Sequence, residues 1–175
     1  MALSLYDVTV ASYLQTLGAV AGYLEKGLKH FHAAAVNPDD IIEMRLYEDM
    51  LPFTFQIVSV CHHSAGAIAG AKAGLFAPPT GLPDPTYAKL QQLVADTIAG
   101  LKAVSADEVN ALQGGDMVFK LGERSLPFKS VEDFLLSFSI PNFHFHATTA
   151  YDILRKEGVP LGKRDYLGGM RLKAA

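Results

Sequence analysis

The sequence predicts an all-α protein: a four-helix bundle with a small β-hairpin inserted before its last long helix. Three observations predict it. Apolar residues recur alternately three and four positions apart through long segments, the spacing of one helical face. One segment, near residues 116–128, changes to a period of two. Strands and helices do not alternate in the way a parallel sheet with crossover helices requires.

Ser4, with Asp7 three residues on, reads as a capping box that opens the first helix. Val10, Leu14, Leu17, Ala21, Leu24, Leu28 and Phe31 carry its apolar face. Asn37-Pro38 marks a turn, with Pro38 suited to the first position of a short helix over Ile41, Ile42 and Leu46. The second long helix is expected to begin near Asp49, with Pro52 tolerated in its first turn. Its core face runs Met50, Phe53, Ile57, Val60/Cys61, Ser64 and Ile68, and Gly74 is its stop. The Ala/Gly-rich stretch from Ala65 to Gly74 allows close packing. Pro78, Pro79, Pro83 and Pro85 then make a stiff loop. A third helix carries Leu90, Val94, Thr97, Leu101 and Val104, and Ser105 with Glu108 caps a short helical turn after it.

Met117, Phe119 and Leu121 alternate with Val118 and Lys120, and Gly122-Glu123 precedes Arg124-Ser125-Leu126-Pro127-Phe128. This is a hairpin pattern closed by a glycine turn. A lone hairpin is marginal in water, so it should pack on a helix or on another subunit. Ser130 and Asp133 form a third capping box. The fourth long helix runs to about Glu157 and stops at Gly158, with Pro160 beyond. Pro141 lies inside it and is expected to kink it. With no internal repeat or linker, residues 1–175 read as one domain, with the hairpin at about 116–128 and a C-terminal tail at about 159–175.

Composition narrows the function classes. Of 175 residues, 50% are hydrophobic and 19% charged, which suits a globular domain with one sizeable core. A net charge of −3 gives no electrostatic reason to expect nucleic acid. The basic residues near the end (Arg155, Lys156, Lys163, Arg164, Arg171, Lys173) are interrupted by Glu157 and Asp165 and read as solvated surface. The lone cysteine, Cys61, sits on a core face as a small hydrophobe and fits a reducing compartment. The first residues lack the pattern of a signal peptide, and no stretch reaches the roughly 20 apolar residues of a membrane helix. The expectation is a soluble, cytoplasmic protein.

Six histidines are the main chemical candidates. His30 and His32 lie at the end of the first helix, where the dipole favours them without further function. His62 and His63 project about 100° apart and flank the core on opposite sides, so one of them can face the bundle interior. His144 and His146 are about 200° apart on a helix and cannot chelate one ion together. His146 shares its face with Asn142 and Thr149. The pocket residues are therefore Asn142, His146, Thr149, His62 and His63. Three uses stay open: a hydrogen-bonded polar layer that fixes register, a small-molecule pocket, or a metal site needing a third ligand that Ala150 cannot supply. Asp152 with Arg155 or Lys156 reads as a surface ion pair. Phosphate-loop and nucleophile-elbow sequences are absent.

Longer motifs add a resemblance. Ser4-Leu5-Tyr6-Asp7, then Arg45-Leu46 followed by Asp49-Met50-x-Pro52, lead to Pro141-Asn142-Phe143-x-Phe145-His146-x-Thr148-Thr149-Ala150-Tyr151-Asp152-Ile153-Leu154-Arg155. Gly158-Val159-x-x-Gly162-Lys163-Arg164-Asp165-Tyr166-Leu167-Gly168 completes the set. Across nearly its full length the chain resembles a bacterial group within the DinB-like superfamily. The resemblance implies an up-down-down-up four-helix bundle, commonly dimeric. The wider superfamily includes metal-dependent thiol S-transferases and isomerases, whose ion is held by one histidine on helix two and two spaced four apart on helix four. Here His63, or its neighbour His62, can stand for the first and His146 for one of the pair, while Ala150 fills the remaining slot. The expected function is small-molecule binding by a metal-free homodimer. The alternative is a Zn²⁺- or Ni²⁺-dependent enzyme using His146 and a helix-two histidine.

Overall fold

The computed structural model describes residues 3–173. Ser4 accepts from the backbone N–H of Asp7, whose carboxylate accepts in return from Ser4 N–H at 3.1 Å, so the capping box opens α1 (Leu5–Val8) as the sequence requires. The helical path is interrupted at Thr9, where the hydroxyl donates to Leu5 O, and resumes as α2 (Val10–Ala33). Its buried face is wider than the Val10–Phe31 stripe. Tyr13 and Tyr23 are also fully buried, which satisfies their hydroxyls only because Tyr13 donates to Ser139 Oγ and Tyr23 to Ala147 O.

After α2, Asn37 caps a single 3₁₀ turn at Pro38–Ile41, shorter than the helix expected to reach Leu46. The second long helix starts at Phe53, four residues later than the Asp49 expected from the sequence. The reason is local. Met50 N–H closes a turn on Tyr47 O, and the chain at 42–44 supplies carbonyls to the first turn of the helix. Phe53 N–H donates to Met44 O at 2.8 Å and Thr54 N–H to Ile42 O at 2.9 Å, so the orphan donors are met from outside and Pro52 serves as the cap.

This second rod comprises α3 (Phe53–Cys61), a π turn at His62–Gly66, and α4 (Ala67–Ala73), which ends at Gly74 with φ +67°. The two-residue strand β1 (Leu75–Phe76) follows, then the proline loop and α5 (Tyr87–Lys102). Ser105 and Glu108 complete the capping box of α6 (Ala106–Asn110). Strands β2 (Met117–Leu121) and β3 (Arg124–Phe128) pair antiparallel, Met117 opposite Phe128 and Leu121 opposite Arg124. The hairpin is not alone, because β1 adds in parallel to β2, Phe76 beside Phe119. That answers the packing requirement: Phe76 and Phe119 pack with Phe134 and Phe138.

Ser130 caps α7 (Val131–Phe134) by accepting from Asp133 N–H, and its hydroxyl donates to the Asp133 carboxylate instead of the reciprocal backbone bond of a full box. A second π turn, Leu135–Ser139, leads into α8 (Ile140–Lys156). The expected disturbance at Pro141 takes this form: the turn loosens just before the proline, so the missing N–H falls where the regular ladder restarts. Gly158, with φ +88°, ends the rod. The tail is not featureless, since α9 (Lys163–Leu167) docks on α2 and Lys26 pairs with Asp165 at 2.5 Å. Asp152 makes no ion pair with its helix neighbours, because Arg155 donates to Val159 O and Lys156 to Arg45 O.

Helix α3 packs along α8, and α2 along α5, around a core that includes Leu17, Leu24, Ile57, Leu90, Phe143 and Leu154. Burying side chains of this size contributes about 1.5–3 kcal/mol each. Cys61 belongs to this core, and burial pushes its thiol up to about 12. Among the described residues no helix is long and apolar enough to cross a membrane.

Candidate functional site

The α3–α8 seam brings two of the sequence's candidate residues face to face. His63, in the first π turn, and His146, in the middle of α8, lie with ring centroids 5.8 Å apart and planes only 16° from parallel. His63 is 7% exposed and sits among Phe76, Phe138 and His62. His146 is half-buried, with Phe55 on one side and Phe145 on the other.

Both π turns converge on this seam. An i→i+5 turn holds one more residue than an α turn and leaves carbonyls displaced from the regular ladder. Ser139, in the second π turn, donates to His63 O in the first at 2.7 Å, and Tyr13 donates to Ser139 at 3.1 Å. The irregular parts of both rods are therefore tied to each other and to α2.

Polar partners differ sharply between the two rings. His146 Nδ1 lies 2.8 Å from Gln56 Oε1, and Gln56 Nε2 donates to Leu51 O at 2.8 Å. Among the described residues, none gives the buried His63 Nδ1 a hydrogen-bond partner. Burial lowers the His63 pKa to about 3, helped by the nearby His146 and His62 rings, and burial lowers His146 to about 4. Both rings are neutral at neutral pH. An unpaired buried nitrogen of this kind costs about 1–3 kcal/mol, so the fold holds it at a real cost.

The other predicted residues are placed less centrally. His62 turns outward from the pair: its Nε2–H donates to Ala77 O at 2.7 Å, and its ring stacks on Phe76 at 4.3 Å. A Cβ at Gly66 would come within 2.9 Å of His62 Nδ1, so that glycine makes room for the ring. Asn142 and Thr149 do share the face of His146, but each donates to the carbonyl four residues back, Phe138 O and Phe145 O. The three do not form a shared hydrogen-bonded layer; His146 is linked across the seam to Gln56. His144 points elsewhere, its Nδ1 lying 3.4 Å from Tyr166 OH.

Gln56 was not legible as a site residue. It falls beside Ile57 on a helix whose apolar pattern draws attention to the hydrophobes, and only the partner helix gives it a role. Phe76 was missed for a related reason: two strand residues are too few to show a period.

A resident divalent ion held in the superfamily's manner needs three imidazoles. His63 and His146 supply two, and the position one turn beyond His146 is Ala150, whose methyl is fully buried. Among the described residues no group of three His, Cys, Asp or Glu side chains is placed to hold a metal. The residues present do not fit such an ion.

Comparison with known proteins agrees with the geometry of the fold. Over residues 5–167 the chain matches the family described as Domain of unknown function (DUF1993). It belongs to that family. Its structure superposes with a TM-score of 0.80 on the crystal structure of a DinB family member protein from Shewanella denitrificans, at 27% identity, covering 98% of this chain and 96% of that one. The fold is DinB-like. No curated protein matches the chain.

Proposed function

We propose that this DUF1993 protein binds a small molecule at the His63–His146 seam without a resident metal. The observation that supports this reading is the pair itself: two neutral imidazoles facing each other across the seam, with Ala150 in the third ligand position. Phe55 and Phe145 flank His146 and offer apolar walls to a ligand body. Uncharged imidazoles favour an uncharged ligand group. Two π turns at one seam add support, because such turns concentrate at functional sites.

The test is metal content and binding together. Protein purified without an affinity tag is analysed by mass spectrometry for metals and titrated with Zn²⁺ and Ni²⁺. A small-molecule library is then screened by thermal shift against wild type and His146→Ala. Metal-free protein with hits lost in His146→Ala is the expected result. Stoichiometric metal that disappears in His146→Ala would instead establish a divalent-metal-dependent enzyme of thiol S-transferase or isomerase type. The closeness of the two rings, with centroids 5.8 Å apart, is what favours that alternative.

The same reading takes the chain as one domain with an up-down-down-up order of its long rods, acting as a cytoplasmic homodimer. Leu121 and Leu126, each about half exposed on the hairpin, are apolar surface that a second copy could cover. Sedimentation velocity tests the oligomeric state.

A further inference from the structure

Helix α3 begins at Phe53, so the Leu51 carbonyl lies outside its hydrogen-bond ladder and is free to accept from a side chain. Gln56 uses it: Nε2 donates to Leu51 O at 2.8 Å. A carbonyl only accepts, so this bond settles which end of the amide faces the seam. That end is Oε1, which lies 2.8 Å from His146 Nδ1. An amide oxygen also only accepts, so His146 Nδ1 must carry the ring proton. A neutral imidazole has one such proton, and Nε2 is left with a bare lone pair.

We infer that Gln56 is a positioning residue that locks His146 in its Nδ1–H tautomer, so that the seam engages ligands through an O–H, N–H or S–H group. A carbonyl or ether oxygen would meet lone pair against lone pair at Nε2. The ligand class rests on the small-molecule reading above; the tautomer does not. Glutamate could not replace Gln56 in this role, because a carboxylate has no N–H for Leu51 O. Asparagine is one methylene shorter than the side chain that spans the two partners.

The same helix carries an internal contrast. Thr148 Oγ1 donates to Tyr166 OH at 3.0 Å, and Tyr166 OH in turn reaches His144 Nδ1 at 3.4 Å. A phenol oxygen that accepts from Thr148 keeps both a lone pair and its proton, so this contact fixes no tautomer at His144, unlike the amide contact at His146.

The experiment is long-range ¹H–¹⁵N correlation on histidine-labelled protein at neutral pH. In wild type, His146 should show a protonated Nδ1 and an unprotonated Nε2. In Gln56→Met, close in size but without the amide, His146 should shift to the Nε2–H form that an unconstrained histidine side chain prefers. Wild-type His146 protonated on Nε2 overturns the lock and needs no variant. An unchanged His146 tautomer in folded Gln56→Met overturns it equally.

The ligand class is read with a matched pair of probes, imidazole and 1-methylimidazole, titrated at about pH 9, where both are neutral. Both can accept a hydrogen bond, but only imidazole can donate one. Imidazole should displace the His146 Nε2 resonance with an affinity about tenfold higher, a preference lost in Gln56→Met. Equal affinities against a locked ring overturn the ligand class. A locked ring that neither probe reaches counts against small-molecule binding at the seam and leaves the tautomer assignment standing.

Discussion

Acidification from pH 7 to pH 5 should destabilise this protein mainly through two histidines, and His63→Leu should remove most of the effect. Burial depresses the pKa of His63 to about 3 and of His146 to about 4, both below the ordinary value near 6.5. The unfolded chain therefore takes up protons in a range where the folded chain does not, and stability falls as pH falls below 6.5. At pH 5 both folded values lie lower still, so the loss depends only on the distance from 6.5, about 1.5 units. At about 1.4 kcal/mol per unit this is about 2 kcal/mol for His63. Solvent reaches the half-buried His146, and halving its share leaves about 1 kcal/mol. The window isolates histidines, because the carboxylates held low by capping and pairing (Asp7, Glu108, Glu132, Asp165) lose their contribution only at lower pH. His62 and His144 are also lowered by burial and add in the same direction.

Urea unfolding at pH 7 and pH 5, followed by circular dichroism, measures this directly. Wild type should lose about 3 kcal/mol or slightly more, and His63→Leu about 2 kcal/mol less than that. At pH 7 the variant should match wild type within about 1 kcal/mol, since it removes an unpaired buried nitrogen along with an aromatic contact. An equal acid-induced loss in both proteins would show that His63 titrates normally in the fold and that its burial has been misjudged.

Three further outcomes follow from the packing. A Cβ at Gly27 would collide with Tyr87 OH, which donates to Leu24 O at 2.8 Å, so Gly27→Ala should cost about 1–3 kcal/mol, and Tyr87→Phe should recover most of that in the double variant; additive losses in a double-mutant cycle would contradict it. Phe76→Ala should cost about 3–5 kcal/mol by denaturant unfolding, because this ring joins β1 to His62, His63, Phe134 and Phe138. Ala150→His should raise Zn²⁺ affinity at least about tenfold by calorimetry while costing about 1–3 kcal/mol without metal, since the site is fully buried; a folded variant with wild-type zinc affinity would show that position 150 does not face the pair.

Most of the fold was legible because it follows from local rules. The capping boxes at Ser4 and Ser105, the glycine stops at Gly74 and Gly158 and the hairpin over 117–128 all appear where side-chain chemistry and period place them. The failures lie where distant chain supplies the deciding bond. Asp49 looked like a helix start until carbonyls from Ile42 and Met44 are seen to meet the first donors of α3. Leu75-Phe76 is a strand only because β2 lies beside it.

The candidate site was half legible for a deeper reason. Reading faces from spacing assumes a regular helix, and both rods depart from regularity where they meet the seam. His63 occupies one π turn and Ser139 the other, and the bond between them places His63 against His146. The sequence could name His146 as inward, since it lies on regular helix, but it left His62 and His63 undivided. Nor could it find Gln56, whose role depends on a carbonyl left free by a helix start that was itself misplaced. A helix beginning near Asp49 would have drawn Leu51 O into its ladder, leaving Gln56 no acceptor and His146 no fixed proton. The late start at Phe53 and the single tautomer of His146 are thus one structural fact, linked through Gln56.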